Sequence, residues 1–327
     1  MKPVLILNKP HEVLLETLTK YQIPYEADYE SSYESVKSKI KDFSGLVLRS
    51  RIALDADFIE HAQHLKFIAR EGVGLDHIDT TACAQWNIPV LISPEGSRDT
   101  VAEHAIGMLL NLMNHLSRCN QQVKQNIWSR EENRAFELKG KTIGIIGYGN
   151  MGRSFAQKIK GFDVEVLAYD KYLQDYGDDF ASAVSLDELL NRVDVITLHI
   201  PLDEQNTYFV NDSFFAKLKR PVFLINTARG LVLETAALVK AIQRGEVLGA
   251  ALDVLEYEDQ SFDQLMDLDR LKEENKDYKF LVESDQVVLS PHIAGWSFES
   301  KKRHGEVLGM KILDIIAPKN LKGSTLT

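Results

Sequence analysis

An α/β fold built on two doubly wound parallel sheets is what this 327-residue sequence predicts. Two observations carry that prediction. Short apolar runs alternate with helix-like segments along nearly the whole chain, and such alternation places helices on both faces of a parallel sheet. The alternation also starts afresh near residue 141, this time with a glycine-rich turn between a strand and a helix. The earlier series has no such turn, so the chain reads as two sheets rather than one.

In the first series, strands are expected at 4–7, 45–49, 66–69 and 88–92, with helices at 11–21, 32–40, 55–64 and 78–85. A long apolar helix, 100–118, follows. Its residues Val101, Ala105, Met108, Leu109, Leu112, Met113 and Leu116 cover more than one face, which implies burial on several sides, in its own domain or against a second subunit. The second series has strands at 142–146, 164–169, 194–198, 222–225, 249–252 and 287–289, as suits a nucleotide-binding sheet. The acidic stretch 259–285 reads as a surface insertion. A last helix, 299–316, is expected to cross back to the first domain.

The glycine-rich turn is the sharpest signal. Gly147-Tyr148-Gly149-Asn150-Met151-Gly152 fits G-x-G-x-x-G between a buried strand and a helix, and the next strand ends in Asp170. Gly147 permits the tight turn, Gly149 lets backbone approach a pyrophosphate, and Gly152 lets helix and strand pack closely. The helix N-terminus then offers N–H groups and a favourable dipole to the phosphates. The Asp170 carboxylate is placed to accept the adenosine ribose hydroxyls and to repel a 2′-phosphate, so NAD is expected over NADP.

Composition narrows the function classes. The chain is 44% hydrophobic and carries a formal net charge of −10, which argues against nucleic acid as a partner. It has no apolar run of membrane-spanning length, and the N-terminus reads as a first strand rather than a signal peptide. Cys83 and Cys119 supply neither a disulfide framework nor metal-ligand spacing. The expectation is a cytoplasmic protein without a metal. A small anionic substrate would need local positive charge against this acidic background, which directs attention to the arginines.

Three segments at the ends of predicted strands carry candidate chemistry: Asn226-Thr227-Ala228-Arg229-Gly230, Asp253 to Glu258, and Ser290-Pro291-His292. Ligands of open α/β sheets bind outside the carboxyl ends of the strands. Arg229, Glu258 and His292 are therefore expected to converge beside the nicotinamide.

Asn226 to Gly230, with Glu71-Gly72-Val73-Gly74-Leu75-Asp76, Val101-Ala102-Glu103-His104, Leu138 to Gly149, His199-Ile200-Pro201-Leu202 and Pro291-His292-Ile293-Ala294-Gly295, resemble the NAD-dependent D-isomer-specific 2-hydroxyacid dehydrogenases. The resemblance implies two Rossmann-like domains with an active-site cleft between them. The substrate domain would be flavodoxin-like and comprise 1–98 plus 297–327; the NAD-binding domain would comprise 99–296. It assigns His292 as the acid–base residue, Glu258 as its orienting partner, and Arg229 as the group that binds the carboxylate and polarises the carbonyl. These roles suit the residue types, since histidine titrates nearest neutral pH and arginine keeps its charge. The resemblance also places Thr100, Pro201, Thr227 and Asp253 at the cofactor and Val73 and Gly74 at the substrate carboxylate; a homodimer is the expected assembly. The sequence departs from the family at Asp259, where proline usually follows the glutamate, at Trp296, and at Arg98-Asp99. Glu256 leaves the identity of the orienting glutamate open.

Arg49 and Arg51 end one predicted strand and Arg70 the next. Arginines at similar places in phosphoglycerate dehydrogenases bind the substrate phosphate, which makes 3-phosphoglycerate the expected substrate; pairing with Asp55, Asp57 and Glu71 is the structural alternative. Glyoxylate, hydroxypyruvate or lactate-type acids are the other substrates to consider, and an NAD-sensing corepressor role is the reading from another class. Little sequence follows the last motif, so a C-terminal regulatory domain is not expected.

Overall fold

The computed structural model describes residues 2–259, 265–266 and 268–316. The chain divides into two compact units, Met1–Ser97 with Trp296–Thr327, and Arg98–Gly295.

The first unit is a five-stranded parallel sheet. Its strands are β1 (Val4–Ile6), β2 (Tyr25–Ala27), β3 (Gly45–Leu48), β4 (Ile68–Arg70) and β5 (Val90–Leu91), in the order β2-β1-β3-β4-β5. This is the flavodoxin-like order, with its switch point between β1 and β3. β1 and β3 are wholly buried, because helices cover both faces. One face packs Leu5, Leu7, Leu46, Phe58 and Ile59; the other packs Val4, Ile6, Val47 and Phe67. The second face is closed by the helices Glu12–Lys20 and Phe298–Ile316, through Leu14 and Leu18 from one and Leu308 and Ile312 from the other. Each such side chain contributes roughly 1.5–3 kcal/mol by leaving water.

The second unit has seven parallel strands: β6 (Thr142–Ile146), β7 (Glu165–Tyr169), β8 (Ser182–Ala183), β9 (Val195–Leu198), β10 (Val222–Asn226), β11 (Val247–Leu252) and β12 (Val287–Leu289). Their order, β12-β11-β10-β9-β6-β7-β8, reverses direction between β6 and β9, the switch point of a doubly wound nucleotide fold.

Three expectations need correction. The sequence reading lacks β2 and β8, both short edge strands with exposed side chains and therefore without an apolar run. The single helix expected over 100–118 is two, Pro94–Met113 and Leu116–Lys124, because His115 adopts a left-handed conformation (φ 54°) that ends one helix before the next. The stretch 259–285 is not only surface. Its helix Lys276–Glu283 connects β11 to β12 and buries Tyr278 and Leu281, the latter in the core of the second unit. Positions 260–264 and 267 of that stretch, and 317–327 of the C-terminal tail, lie outside the described residues.

Candidate functional site

The nucleotide loop leaves the carboxyl end of β6 and enters the helix Asn150–Ile159 through Gly149 as N-cap. Each glycine is required for a different reason. Gly147 has φ 94°, and a Cβ there would lie 2.6 Å from the His199 carbonyl oxygen. A Cβ at Gly152 would sit 2.1 Å from the Gly147 carbonyl oxygen, so helix and loop touch backbone to backbone. Around Gly149 no protein atom lies within 4 Å of that position, which leaves the approach to its backbone open. Asn150 is exposed and Met151 half-buried in the first helical turn.

Asp170 follows β7. One carboxylate oxygen accepts the Tyr148 N–H at 2.8 Å, and the other accepts those of Tyr172 at 2.9 Å and Leu173 at 3.1 Å. A carboxylate has about four acceptor positions, so these amides fix its orientation and leave capacity for a ribose hydroxyl. Pro201 is exposed beyond β9, and its carbonyl accepts the Asn206 side-chain amide. Thr227, beyond β10, has a buried hydroxyl oxygen with no hydrogen-bond partner among the described residues. An orphaned buried hydroxyl at the carboxyl end of the sheet that carries the open glycine loop fits a site built for a dinucleotide. Thr100 lies half-buried on the helix Pro94–Met113.

The catalytic candidates come from the ends of β10, β11 and β12. Asn226, fully buried, staples the turn after β10: its side chain accepts the Ala228 N–H and donates to the Arg229 carbonyl, both at 3.0 Å. The Arg229 guanidinium donates to the Ala228 carbonyl at 2.7 Å and stays half-buried. Gly230 lets this turn press on the next loop, since a Cβ there would lie 1.9 Å from the Leu255 carbonyl oxygen. Glu258 accepts the Leu255 N–H at 2.6 Å with one oxygen and meets His292 Nδ1 at 2.7 Å with the other. That contact fixes the orientation of the ring through Nδ1. Glu256 has a different job: it accepts the Thr235 N–H at 2.8 Å, at the start of the helix Thr235–Gln243.

His292 has φ 53°, an unfavourable backbone state for a non-glycine residue that its surroundings must hold. Asp253 does much of this. Only 1% exposed, its carboxylate accepts from Ser290 Oγ at 2.6 Å, Ile293 N–H at 2.9 Å and Ala294 N–H at 2.8 Å, with His104 Nε2 at 3.4 Å. Burial alone would raise its pKa, but the bonds from His104, Ser290, Ala294 and Ile293 outweigh it and hold the group below the usual carboxylate range. Asp253 thus shapes the histidine loop from beneath. Asn226, Ser290 and His104 were not singled out by sequence; the only signal was their adjacency to the motif residues.

In the first unit, Arg49 and Arg51 lie beyond β3 rather than within it. The Arg51 guanidinium donates to the Ser31 carbonyl at 2.6 Å and the Asp28 carbonyl at 3.1 Å, tying down the loop after β2. The Arg49 guanidinium instead lies 4.7 Å from the centre of the Trp296 ring, a cation–π contact. Arg70 donates to the Glu71 carbonyl at 3.2 Å. Glu71 is 8% exposed; burial raises its pKa, and Arg49, Lys301 and Arg70 partly offset that. Asp55 and Asp57 pair with Tyr33 and Lys37, not with the arginines. Val73 and Gly74 are half-buried in the turn after β4.

Comparison with known proteins identifies the family. Residues 106–294 match the model of the D-isomer specific 2-hydroxyacid dehydrogenase NAD-binding domain. A hydroxypyruvate reductase of Thermotoga maritima is 36% identical over 84% of this chain and 85% of its own length. A D-3-phosphoglycerate dehydrogenase of Archaeoglobus fulgidus is 34% identical over 85% of this chain, which spans 50% of that longer protein. Among solved structures, a D-lactate dehydrogenase of Aquifex aeolicus complexed with NAD and lactic acid is 30% identical with a TM-score of 0.80, over 94% of each chain. With its glycine loop, Asp170 and the strand-end residues of the second unit in place, this chain belongs to the D-isomer specific 2-hydroxyacid dehydrogenase family and carries that family's NAD-binding domain.

Proposed function

We propose that this chain transfers hydride reversibly between NAD(H) and C2 of a small D-2-hydroxy acid, working with a 2-keto acid in the reducing direction. The observation that carries the reading is the 2.7 Å contact between Glu258 and His292 Nδ1, held by the Asp253 cradle at the carboxyl end of the same sheet that carries the glycine loop. NADH, when bound, supplies the hydride. His292 gives its Nε2 proton to the carbonyl oxygen as that oxygen gains charge, and takes it back in the oxidising direction. Glu258 stabilises the imidazolium and fixes the ring. Arg229 binds the carboxylate and polarises the carbonyl with a charge that does not vary with pH. The backbone N–H groups of Val73 and Gly74 are assigned to the same carboxylate.

A substrate with a second anionic group, such as 3-phosphoglycerate, would draw on Arg49, which meets the Trp296 ring, and Arg70, which donates to the Glu71 carbonyl, whereas Arg51 ties two backbone carbonyls after β2. The proposed assembly is a homodimer in the cytoplasm. Leu116, Val123, Ile127 and Trp128 expose apolar surface around the helix Leu116–Lys124, with Trp128 80% exposed, and a second copy would cover it. Light scattering that gives a monomer would remove the dimer. Among the described residues no helix is long and apolar enough to cross a membrane.

NADH oxidation against phosphohydroxypyruvate, hydroxypyruvate, glyoxylate, pyruvate and longer 2-keto acids tests the function. Selective use of phosphohydroxypyruvate supports the arginine subsite, and preference for an uncharged side chain makes those arginines structural. NADH binding without turnover of any acid would overturn the enzymatic reading.

A further inference from the structure

We propose that His304 is a positioning residue for substrate: acting through Ser93, it fixes the Gly72 backbone at the start of the turn whose Val73 and Gly74 N–H groups receive the substrate carboxylate. The inference rests on the reading of that turn given above.

Ser93 is fully buried and grips Gly72 from both sides. Its Oγ accepts the Gly72 N–H at 3.1 Å, and its own N–H donates to the Gly72 carbonyl at 2.9 Å. Gly72 has φ 139°, which only glycine adopts without strain. The Ser93 oxygen also lies 2.7 Å from His304 Nδ1, on the helix Phe298–Ile316. With the Gly72 N–H on one lone pair, the hydroxyl hydrogen has Nδ1 as its acceptor. That requires a neutral ring with its proton on Nε2, an assignment made from the hydrogen-bond network. Burial, chiefly, pushes the His304 pKa down to about 4; Arg70 and Arg303 add to the effect, and a hydrogen bond to the Ser93 backbone and the charge of Glu95 oppose it. The ring is therefore neutral at physiological pH.

The surroundings are shaped to this ring. A Cβ at Gly96 would lie 2.3 Å from Nδ1, so the imidazole occupies the space a larger residue would need, and Arg303 Nε donates to the Gly96 carbonyl at 3.2 Å. An apolar side chain would fill the same volume without the cost of burying a polar ring. What the imidazole adds is directed hydrogen bonding to Ser93, and Ser93 leads to the peptide before Val73 and Gly74. The motif Glu71-Gly72-Val73-Gly74 gave no sign that its geometry depends on a residue so far along the chain.

Steady-state reduction of the best 2-keto acid by His304→Leu, His304→Asn and Ser93→Ala tests this. Losing one buried hydrogen bond from the turn should raise KM for the keto acid about ten-fold in His304→Leu and Ser93→Ala, with kcat and KM for NADH changed less than about two-fold. His304→Asn, whose Oδ1 can accept the Ser93 hydroxyl near the Nδ1 position, should recover most of that loss. An unchanged KM for the keto acid would overturn the proposal. So would a parallel loss in kcat and in both KM values, which marks a merely structural role. If His304→Leu does not fold, Ser93→Ala, the smaller change, carries the same test. A wild-type protein that turns over no 2-keto acid would overturn this inference together with the function it rests on, whereas an active wild type with insensitive variants would overturn this inference alone.

Discussion

Glu256 and Glu258 stand two positions apart after β11 and differ in what each meets. Glu256 is turned to the Thr235 N–H and to the Tyr208 hydroxyl, whereas Glu258 faces the His292 ring and is anchored by the Leu255 N–H. Sequence alone cannot separate two such neighbours, because the distinction arises from a loop bent by the Gly230–Leu255 contact. The two should part cleanly on substitution. His292→Ala removes the proposed proton donor and should lower kcat by about 10²–10⁴-fold, with NADH affinity retained. Glu258→Gln keeps a hydrogen-bonding group but loses the charge that steadies the imidazolium, so it should also lower kcat, by a smaller factor. Glu256→Ala should leave turnover intact and cost about 1 kcal/mol of stability, the typical price of an unsatisfied helix N-terminus. Equal kcat values for the Glu256 and Glu258 variants would reject this division. Tightly held backbone makes Asp253 a further case: Asp253→Ala frees Ser290, Ile293 and Ala294 together, and should depress kcat although its carboxylate lies beneath the histidine loop.

In the nucleotide loop, Gly149 and Gly152 yield opposite predictions for the same change. Gly152→Ala drives a methyl into the Gly147 carbonyl oxygen, so the helix Asn150–Ile159 must shift and both stability and NADH affinity should fall. Gly149→Ala meets no protein atom, so thermal stability should hold while NADH binding weakens at least ten-fold, because the added methyl blocks the pyrophosphate. Calorimetric titration with NADH beside a melting curve reads both; a Gly149→Ala protein that binds NADH normally would show that the cofactor does not pass over this loop. The loop was legible in sequence because its requirements are steric and local, and only glycine meets them. The buried strands were legible for a related reason, since strands covered on both faces must be apolar throughout. β2 and β8 escaped because exposed edge strands of two or three residues carry no pattern. The break at His115 escaped because a left-handed histidine has no composition signal, and the helix Lys276–Glu283 because its two buried residues are diluted by charge. Arg51 shows the limit of periodicity. Spacing of two would put it on the side of Arg49, but the strand ends at Leu48 and the side chain turns to carbonyls after β2.

Each unit also holds an imidazole that desolvation keeps neutral, and this gives the whole molecule a definite response to acid. His199, in the second unit, is half-buried beside Phe155, with Nε2 3.0 Å from the Thr197 hydroxyl, and desolvation of its ring pushes its pKa from 6.5 down to about 4. His304 is pushed down to about 4 in the first unit. A ring whose pKa is lower folded than unfolded binds fewer protons in the folded state between those two values. Acidification through that window therefore favours the unfolded chain, and the loss grows as pH falls from 6.5 toward 4. Each ring removes about 1.4 kcal/mol per pH unit within the window, of order 3 kcal/mol by its lower end. Above about pH 7 both rings are neutral in either state and contribute no slope. The net charge of −10 works the other way, since protonating carboxylates relieves repulsion, but most carboxylates titrate below about pH 5. Between about pH 6.5 and 5 histidine is the main titrant, so the imidazole effect should dominate there. Urea-unfolding midpoints measured from about pH 7.5 to 5 should be level at first and then decline. His199→Gln, which can keep a bond to Thr197 without a titrating ring, should flatten the part of that decline that belongs to the second unit. A wild-type midpoint that stays level down to about pH 5 would mean that neither ring is held neutral by the fold.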